Sequence, residues 1–351
     1  MIKKVIQVLV PLALAAGLLW WVLKDTDFEQ MKLILAHTNY ALLALSALPM
    51  LGAHLARAQR WRLLLEPVAI KPALWESFAA VMAGYVANLA LPRLGEVTRC
   101  TMLLRRRGIA VEVSLGTVIA ERAFDVLMLG LITALSFWLE YDKLLAFFQE
   151  ILALKKAGEP QAAPTSNLPL FAFGGLMLLA FIAAYVLRAK LLKVAIIGKI
   201  WAFAMGMLAG VFSVFKLRNP AAFLLHTVLI WVGYFLSTWL ALVAVPGLEG
   251  IGGTGTLLIL TVGSFGMIVP VQGGYGPYEF MVIAGLTKLY GFEKTLAEAG
   301  ALLMHNSQTL IVVLVGAACF AALLGAGRAK LPGESPMPPK SPSSDPSNSL
   351  A

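Results

Sequence analysis

The chain has 351 residues, of which 59% are hydrophobic and only 13% are charged. Soluble globular proteins carry about 25% charged residues, so this composition excludes an ordinary water-soluble enzyme; it also excludes a wholly disordered chain. A mean hydropathy of +0.81 predicts an integral membrane protein, in which the net charge of +9 marks cytoplasmic loops and not a nucleic-acid-binding surface.

The first apolar stretch, residues 5–23, predicts an uncleaved membrane-spanning helix. It follows Lys3 and Lys4, is longer than the apolar region of a signal peptide, and has no small-residue cleavage site before Lys24. Because basic residues precede it, we expect the N-terminus in the cytoplasm.

Apolar length and loop charge together predict six full spans with both termini in the cytoplasm. The predicted spans are residues 5–23, 40–56, 113–139, 168–187, 221–245 and 301–324. Residues 201–215 lie between basic residues. This indicates a helix that lies on the cytoplasmic surface of the membrane or is partly embedded in the membrane from that side. Residues 331–351 hold six prolines and six serines and predict a disordered cytoplasmic tail after a membrane domain of residues 1–330.

Residues 73–104 predict a re-entrant hairpin that enters from the cytoplasm and returns to it. The flanking basic residues, which we place in the cytoplasm, are Arg57, Arg60, Arg62, Arg105, Arg106 and Arg107. Residues 94–104 would extend only ~16 Å as a helix, which is too short to cross. Pro92 and Gly95 explain the break, because proline removes a backbone donor and glycine weakens a helix.

A second broken segment, residues 256–289, predicts a hairpin that enters from the opposite face. Five predicted spans precede it, so the chain is then on the outside, and it must be there again to begin the sixth span. Its break contains Pro270, Gly273, Gly274 and Gly276. Both segments read as apolar helix, proline, glycine, glutamate and apolar helix. This pattern favours an inverted repeat with a transport site near the membrane midplane. The predicted fold class is therefore an all-α polytopic membrane protein with six full spans and two opposed re-entrant broken helices.

Seven charged residues fall inside the predicted membrane segments. They are Arg93, Glu96, Arg99, Glu121, Arg122, Asp125 and Glu279. A charge at mid-bilayer costs ~2.5–3.5 kcal/mol, so these groups must pair or be hydrated. Structural ion pairing is one interpretation. The other is a polar cavity for a charged headgroup, in which Arg93, Arg99 and Arg122 suit a phosphate.

The second break contains no arginine. Its polar residues Gln272, Tyr275, Tyr278 and Glu279 could face a headgroup amine or hydroxyl, and its glycines could equally serve close packing. The histidines have no metal-ligand spacing, and no catalytic or nucleotide-binding motif is found. We therefore expect no metal, no cofactor, no ATP-driven step and no enzymatic activity.

The polar strings around the first break resemble a known family. Residues 88–99, Asn-Leu-Ala-Leu-Pro-Arg-Leu-Gly-Glu-Val-Thr-Arg, and residues 121–125, Glu-Arg-Ala-Phe-Asp, resemble signatures of the lysylphosphatidylglycerol synthase transmembrane-region family; residues 60–62 and 270–279 also fit. The resemblance covers about residues 5–328. It implies a lipid-flippase-like membrane module, and we expect the family's soluble aminoacyl-transfer domain to be absent. The positions carried over are Asn88, Pro92, Arg93, Gly95, Glu96, Arg99, Glu121, Arg122, Asp125, Gly274, Gly276 and Glu279.

The sequence thus predicts a protein that moves a phospholipid or polyprenyl-linked lipid between the leaflets of the bacterial inner membrane. The expected substrate-binding residues are Asn88, Arg93, Glu96, Arg99, Glu121, Arg122, Asp125 and Glu279. The expected helix breaks are at Pro92, Gly95, Pro270, Gly273, Gly274 and Gly276. Three alternatives stay open: an ion or small-anion transporter, a lipid-modifying enzyme that uses the carboxylates, and a non-transporting envelope-assembly partner. Expected partners are the membrane lipid, a second copy of the chain and a separately encoded lipid-modifying enzyme.

Overall fold

The computed structural model describes residues 2–67, 72–146, 214 and 216–326, with side chains from residue 11 onward, and within this part of the chain the regular elements are all helical. The described helices, numbered in chain order, are α1 (Ile2–Leu23), α2 (Phe28–His37), α3 (Tyr40–Leu45), α4 (Ala47–Leu65), α5 (Leu74–Ala90), α6 (Leu94–Arg107), α7 (Val111–Leu139), α8 (Pro220–Val243), α9 (Gly252–Gly266), α10 (Pro277–Ala284) and α11 (Lys294–Gly325). The all-α fold class is confirmed.

Three described helical stretches are long and apolar enough to cross a membrane, namely Tyr40–Leu65, Pro220–Val243 and Lys294–Gly325. They contain most or all of the predicted second, fifth and sixth spans. The predicted third span corresponds to α7, whose 29 residues extend about 43 Å. The predicted fourth span, the predicted helix over residues 201–215 except residue 214, and the tail lie outside the described residues, so the number of spans stays a prediction.

The outer surface of the bundle is apolar. Large side chains such as Leu131 and Trp138 on α7, Leu225 on α8 and Leu314 on α11 are exposed. In water such a continuous apolar exterior would cause association, whereas lipid tails solvate it. Many polar and charged residues of α4 and α7, and Arg99 on α6, are instead buried in the interior.

The first predicted hairpin is a helix, a short break and a second helix, formed by α5 and α6. The chain turns at residues 91–93, where Arg93 adopts a left-handed backbone conformation with φ of 65°. At the base of the hairpin, the carboxylate of Glu76 accepts hydrogen bonds from Arg106 at 3.0 Å and Arg107 at 2.7 Å. These bonds hold the start of α5 against the end of α6 and close the hairpin.

Gly95 was predicted to break the first hairpin, but it lies inside α6 and is buried. Its role is close packing, because a Cβ atom on Gly95 would overlap the backbone oxygen of Gly84 on α5. The backbone N–H of Gly95 donates to Asn88 Oδ1 at 2.6 Å. The break itself is produced by Pro92, with the strained backbone of Arg93 next to it.

The second hairpin is formed by α9 and α10, with the break between Gly266 and Pro277. Gly273, Gly274 and Gly276 have φ values of 59°, 85° and 91°. This is the left-handed region that glycine adopts without a steric penalty, so the turn requires glycine here. A π-helical turn, Gly285–Leu289, follows α10.

Candidate functional site

The interior contains a network of ion pairs between α4 and α7. Arg57 Nη1 donates to Glu121 Oε1 and to Asp125 Oδ2, both at 2.7 Å. Arg60 Nη2 donates to Asp125 Oδ1 at 2.6 Å, and Arg122 Nη1 donates to Asp125 Oδ2 at 3.4 Å. Residues three or four positions apart share one face of a helix, so each helix presents its charged pair to the other.

Helix α6 extends the network toward the first break. Arg99 Nη1 lies 3.3 Å from Glu121 Oε2, and its guanidinium group stacks over the Trp61 ring at 4.6 Å. Glu96 Oε1 lies 3.3 Å from Arg122 Nη2. Glu121 is fully buried and contacts arginines from both α4 and α6, so it is the acid at the centre of the network.

A cavity of about 530 Å³ lies beside this network and reaches both helix breaks. From the first hairpin it is lined by Asn88, Pro92, Arg93 and Glu96, and from the second by Val269, Pro270, Val271, Gly273 and Gly274. Its size is within the range of small-molecule sites in proteins. The two broken segments, which are remote in sequence, therefore share one space.

Five of the eight predicted binding residues line the cavity, and the other three lie in its surroundings. The lining residues are Asn88, Arg93, Glu96, Arg122 and Asp125. Arg99 and Glu121 are buried within the network, and Glu279 is buried within the second hairpin. Arg122 is the most open member of the network, with 44% of its side chain exposed.

A family model described as the lysylphosphatidylglycerol synthase TM region matches residues 8–316. The chain belongs to this family. The match includes both hairpins, the network and the cavity, and membership makes the chain a membrane protein involved in lipid handling. No curated protein and no solved structure matches the sequence.

In this member of the lysylphosphatidylglycerol synthase TM-region family, the network contains two arginines that were predicted to lie in the cytoplasm. Arg57 and Arg60 are buried, because α4 does not end at residue 56 but continues to Leu65. Their spacing of three residues matches the charged face of α7, and this is the sequence signal that could have found them. Arg62 lies outside the network and donates to the Pro72 carbonyl at 2.8 Å.

Glu279 holds the loop of the second hairpin in place through hydrogen bonds. Its Oε2 accepts the backbone N–H of Gly276 at 2.7 Å, and its Oε1 lies 2.5 Å from His305 Nδ1. His305 Nε2 lies 3.0 Å from the Gly273 carbonyl oxygen, and the Tyr275 ring stacks on the imidazole at 4.3 Å. With its carboxylate held this way, Glu279 does not line the cavity, whereas His305 does.

Several polar residues of the cavity wall were not singled out from the sequence. They are His54, Tyr85, Trp231, Tyr234 and His305. Each lies on an apolar helix where its neighbours give no motif, so only the packing of the helices reveals it. Among the described residues there is no group of three metal-ligating side chains, and Cys100 and Cys319 are free thiols.

Proposed function

We propose that the protein moves a lipid with an anionic headgroup, either a phospholipid or a polyprenyl-linked lipid, between the two leaflets of the bacterial inner membrane. The headgroup passes through the cavity between the two hairpin breaks, while the apolar chains stay in the surrounding lipid. Membership of a family involved in lipid handling supports this proposal. Broken helices that meet at a central cavity are also typical of transporters.

The observation that carries the proposal is an excess of positive charge at the cavity. Four guanidinium groups contact three carboxylates in the network. These are Arg57, Arg60, Arg99 and Arg122, and Glu96, Glu121 and Asp125. Arg93 adds a further positive charge and has no acidic partner within the described part of the chain. Two positive charges therefore remain unbalanced in a setting where charge is costly, and a phosphate would neutralise them.

The guanidinium groups suit this ligand, because a planar fork of N–H donors matches the oxygens of a phosphate bidentately. Arg93 stands at the break of the first hairpin and Arg122 faces it from α7. The same cavity is also lined by apolar side chains, including Leu89, Val126 and Leu260. A space with charged and apolar walls fits an amphiphile better than it fits a hydrated inorganic ion. No nucleophile or metal set accompanies the carboxylates of the described residues, so we propose transport and not lipid chemistry.

Removing a cavity arginine tests this proposal. We expect Arg122→Gln and Arg93→Gln each to slow the movement of fluorescent phosphatidylglycerol across proteoliposome membranes about tenfold or more, because a charge-assisted hydrogen bond contributes ~1.5–3 kcal/mol. The matched control is Arg218→Gln, since Arg218 is exposed and lies away from the cavity. An unchanged rate in both cavity variants contradicts the assignment, and anion flux without lipid movement would instead support a small-anion transporter.

The proposed orientation has both termini in the cytoplasm and the base of the first hairpin at the cytoplasmic face. To test it, Cys100 and Cys319 are replaced by alanine and a single cysteine is introduced at the exposed Ala110. We expect a membrane-impermeant maleimide to label this cysteine only in inverted vesicles. A cysteine at the exposed Glu29 is the matched control and is expected to react in intact cells. Labelling of Ala110→Cys from outside would refute the re-entrant topology.

A further inference from the structure

The imidazole ring of His305 on α11 faces an oxygen acceptor at each of its two nitrogens. Nδ1 lies 2.5 Å from Oε1 of Glu279, and Nε2 lies 3.0 Å from the carbonyl oxygen of Gly273. A carbonyl oxygen only accepts hydrogen bonds, so Nε2 carries a proton. A nitrogen lone pair and a carboxylate oxygen repel each other at such a short distance, so a second proton lies between Nδ1 and Oε1.

The pair of Glu279 and His305 therefore holds one proton more than a carboxylate beside a neutral imidazole. With this proton, either an imidazolium faces a carboxylate or a neutral imidazole faces a carboxylic acid, and the pair is electrically neutral in both forms. Without it, the pair carries one negative charge and the imidazole has a single N–H for two acceptors. One of the two contacts of the ring is then lost.

These contacts attach the break of the second hairpin to α11. The His305 ring bonds to Gly273 at the start of the glycine turn, while Glu279 Oε2 accepts the backbone N–H of Gly276 at 2.7 Å near its end. Gly273 and Gly274 line the cavity. Loss of the proton therefore releases one attachment of a loop that forms part of the cavity wall.

Aromatic rings enclose the pair. Glu279 is fully buried and His305 is 3% exposed. The Tyr275 ring stacks on the imidazole at 4.3 Å, and the Tyr278 ring lies against it at 4.5 Å. Within the described part of the chain, the pair forms no ion pair with a third residue. The charge of the pair is therefore set by its own proton.

Other titratable groups face the pair only from the cavity side. The charged ones on α4, α6, α7 and the first break are Arg57, Arg93, Glu96, Arg122 and Asp125, and His54, Tyr85 and Tyr234 are the remaining ones. Residues 11–23 of α1, which also packs against the second hairpin, contain no titratable side chain. Because the cavity has an excess of positive charge, a negatively charged pair competes with an anionic ligand for it.

We propose that Glu279 and His305 form a proton-binding site that attaches the second break to α11 when it is occupied and releases the break when it is empty. The proton exchanges reversibly with the cavity, which His305 lines, and no other covalent bond forms or breaks. The site is present at low pH and is lost as the pH rises and the pair gives up its proton.

The proton site also couples to the anionic headgroup, and this coupling rests on the proposed function, whereas the site itself does not. A bound proton removes the negative charge of the pair and so strengthens the binding of an anion in the cavity. By thermodynamic reciprocity, the anion strengthens the binding of the proton by the same factor. A proton gradient across the membrane is therefore expected to change the rate of lipid movement.

Hydrogen exchange of the intact, detergent-solubilised protein tests the site. Exchange is followed by mass spectrometry on the peptide that contains Gly276, from about pH 5 to about pH 8, and is corrected for the intrinsic effect of pH. We expect the protection of this peptide in the wild-type protein to fall about tenfold as the pH rises, because a charge-assisted hydrogen bond is lost.

Two variants fix the attachment in one state. Glu279→Gln resembles the protonated acid, since its amide donates to Nδ1 and accepts the Gly276 N–H, so we expect high protection at every pH. His305→Phe keeps a ring between the tyrosines but has no donor, so we expect low protection at every pH. The matched control is His226→Phe on α8, because His226 does not line the cavity, and it is expected to keep the wild-type pH response.

Constant protection in the wild-type protein overturns the proton site, and so does a Glu279→Gln variant that keeps the full pH response. In proteoliposomes, we expect an imposed pH gradient to change the rate of phosphatidylglycerol movement by the wild-type protein and not by Glu279→Gln. A rate that ignores the gradient, while protection still depends on pH, overturns the coupling. A pH-dependent protection without any lipid movement would overturn the proposed transport function and leave the proton site standing.

Discussion

We expect Glu121→Gln to lower the free energy of unfolding by about 3–5 kcal/mol, because removing one partner from a buried ion pair leaves uncompensated charge in the interior. Glu121 is fully buried and contacts Arg57 at 2.7 Å, Arg99 at 3.3 Å and Arg60 at 3.7 Å. Glutamine keeps the shape of the side chain but withdraws the negative charge. Arg57 and Arg60 then keep only Asp125 as an acidic partner in the network, and Arg99 loses its acidic partner there.

The thermal unfolding midpoint of the detergent-solubilised protein measures this effect. Glu112→Gln is the matched control, because Glu112 lies on the same helix and is exposed. We expect Arg99→Met to be destabilising as well, since it leaves Glu121 with less positive charge nearby. Adding Arg99→Met to Glu121→Gln is expected to cost less than the sum of the single changes, because both partners of one pair are then gone. Equal midpoints for Glu121→Gln and Glu112→Gln would contradict this account of the network.

The same variants separate structural ion pairing from headgroup binding. Glu121 and Arg99 do not line the cavity, so their substitution acts first on stability. Arg93 and Arg122 line the cavity. Arg93 forms no ion pair with a carboxylate among the described residues, so we expect its substitution to weaken ligand binding with little effect on stability. The two interpretations of the intramembrane charges thus apply to different residues: ion pairing to Glu121 and Arg99, and headgroup binding to Arg93 and Arg122.

The hairpins were predictable from the sequence because their causes are local. Pro92 removes a backbone donor, and Gly273, Gly274 and Gly276 permit the left-handed conformations of the second turn. The long apolar helix α7 was predictable for the same reason, since its length and composition suffice. In each case the information lies within a few residues of the feature itself.

The network was only partly predictable, because the position of Arg57 and Arg60 is decided by distant residues. Flanking arginines ordinarily mark a cytoplasmic helix end. Here the carboxylates of Glu121 and Asp125 compensate the buried guanidinium groups, which allows α4 to continue as a buried helix. The part of the cavity wall formed by His54 and Trp231 has the same origin, since residues of α4 and α8 meet there only through packing of the whole bundle.

We expect Gly95→Val to disrupt the first hairpin, with a loss of stability of about 1–3 kcal/mol or more from overpacking. Helices α5 and α6 approach so closely that a Cβ atom on Gly95 would overlap the backbone of Gly84 and the side chain of Asn88. A backbone oxygen cannot rotate away as a flexible side chain can, so α6 has to move. That movement also breaks the hydrogen bond from the Gly95 N–H to Asn88.

The displacement has a functional consequence, because Arg93 and Glu96 stand on either side of Gly95 at the cavity. We therefore expect Gly95→Val to reduce lipid movement at least as strongly as Arg93→Gln, together with a lower unfolding midpoint. Gly116→Val on α7 is the matched control, since a Cβ atom there would meet no neighbour within 4 Å. If Gly95→Val and Gly116→Val behaved alike in both measurements, the close crossing of α5 and α6 could not be what positions the cavity residues. Gly95→Ala adds the smallest side chain that still overlaps Gly84, so its effect should lie between those of glycine and valine if the contact itself is responsible.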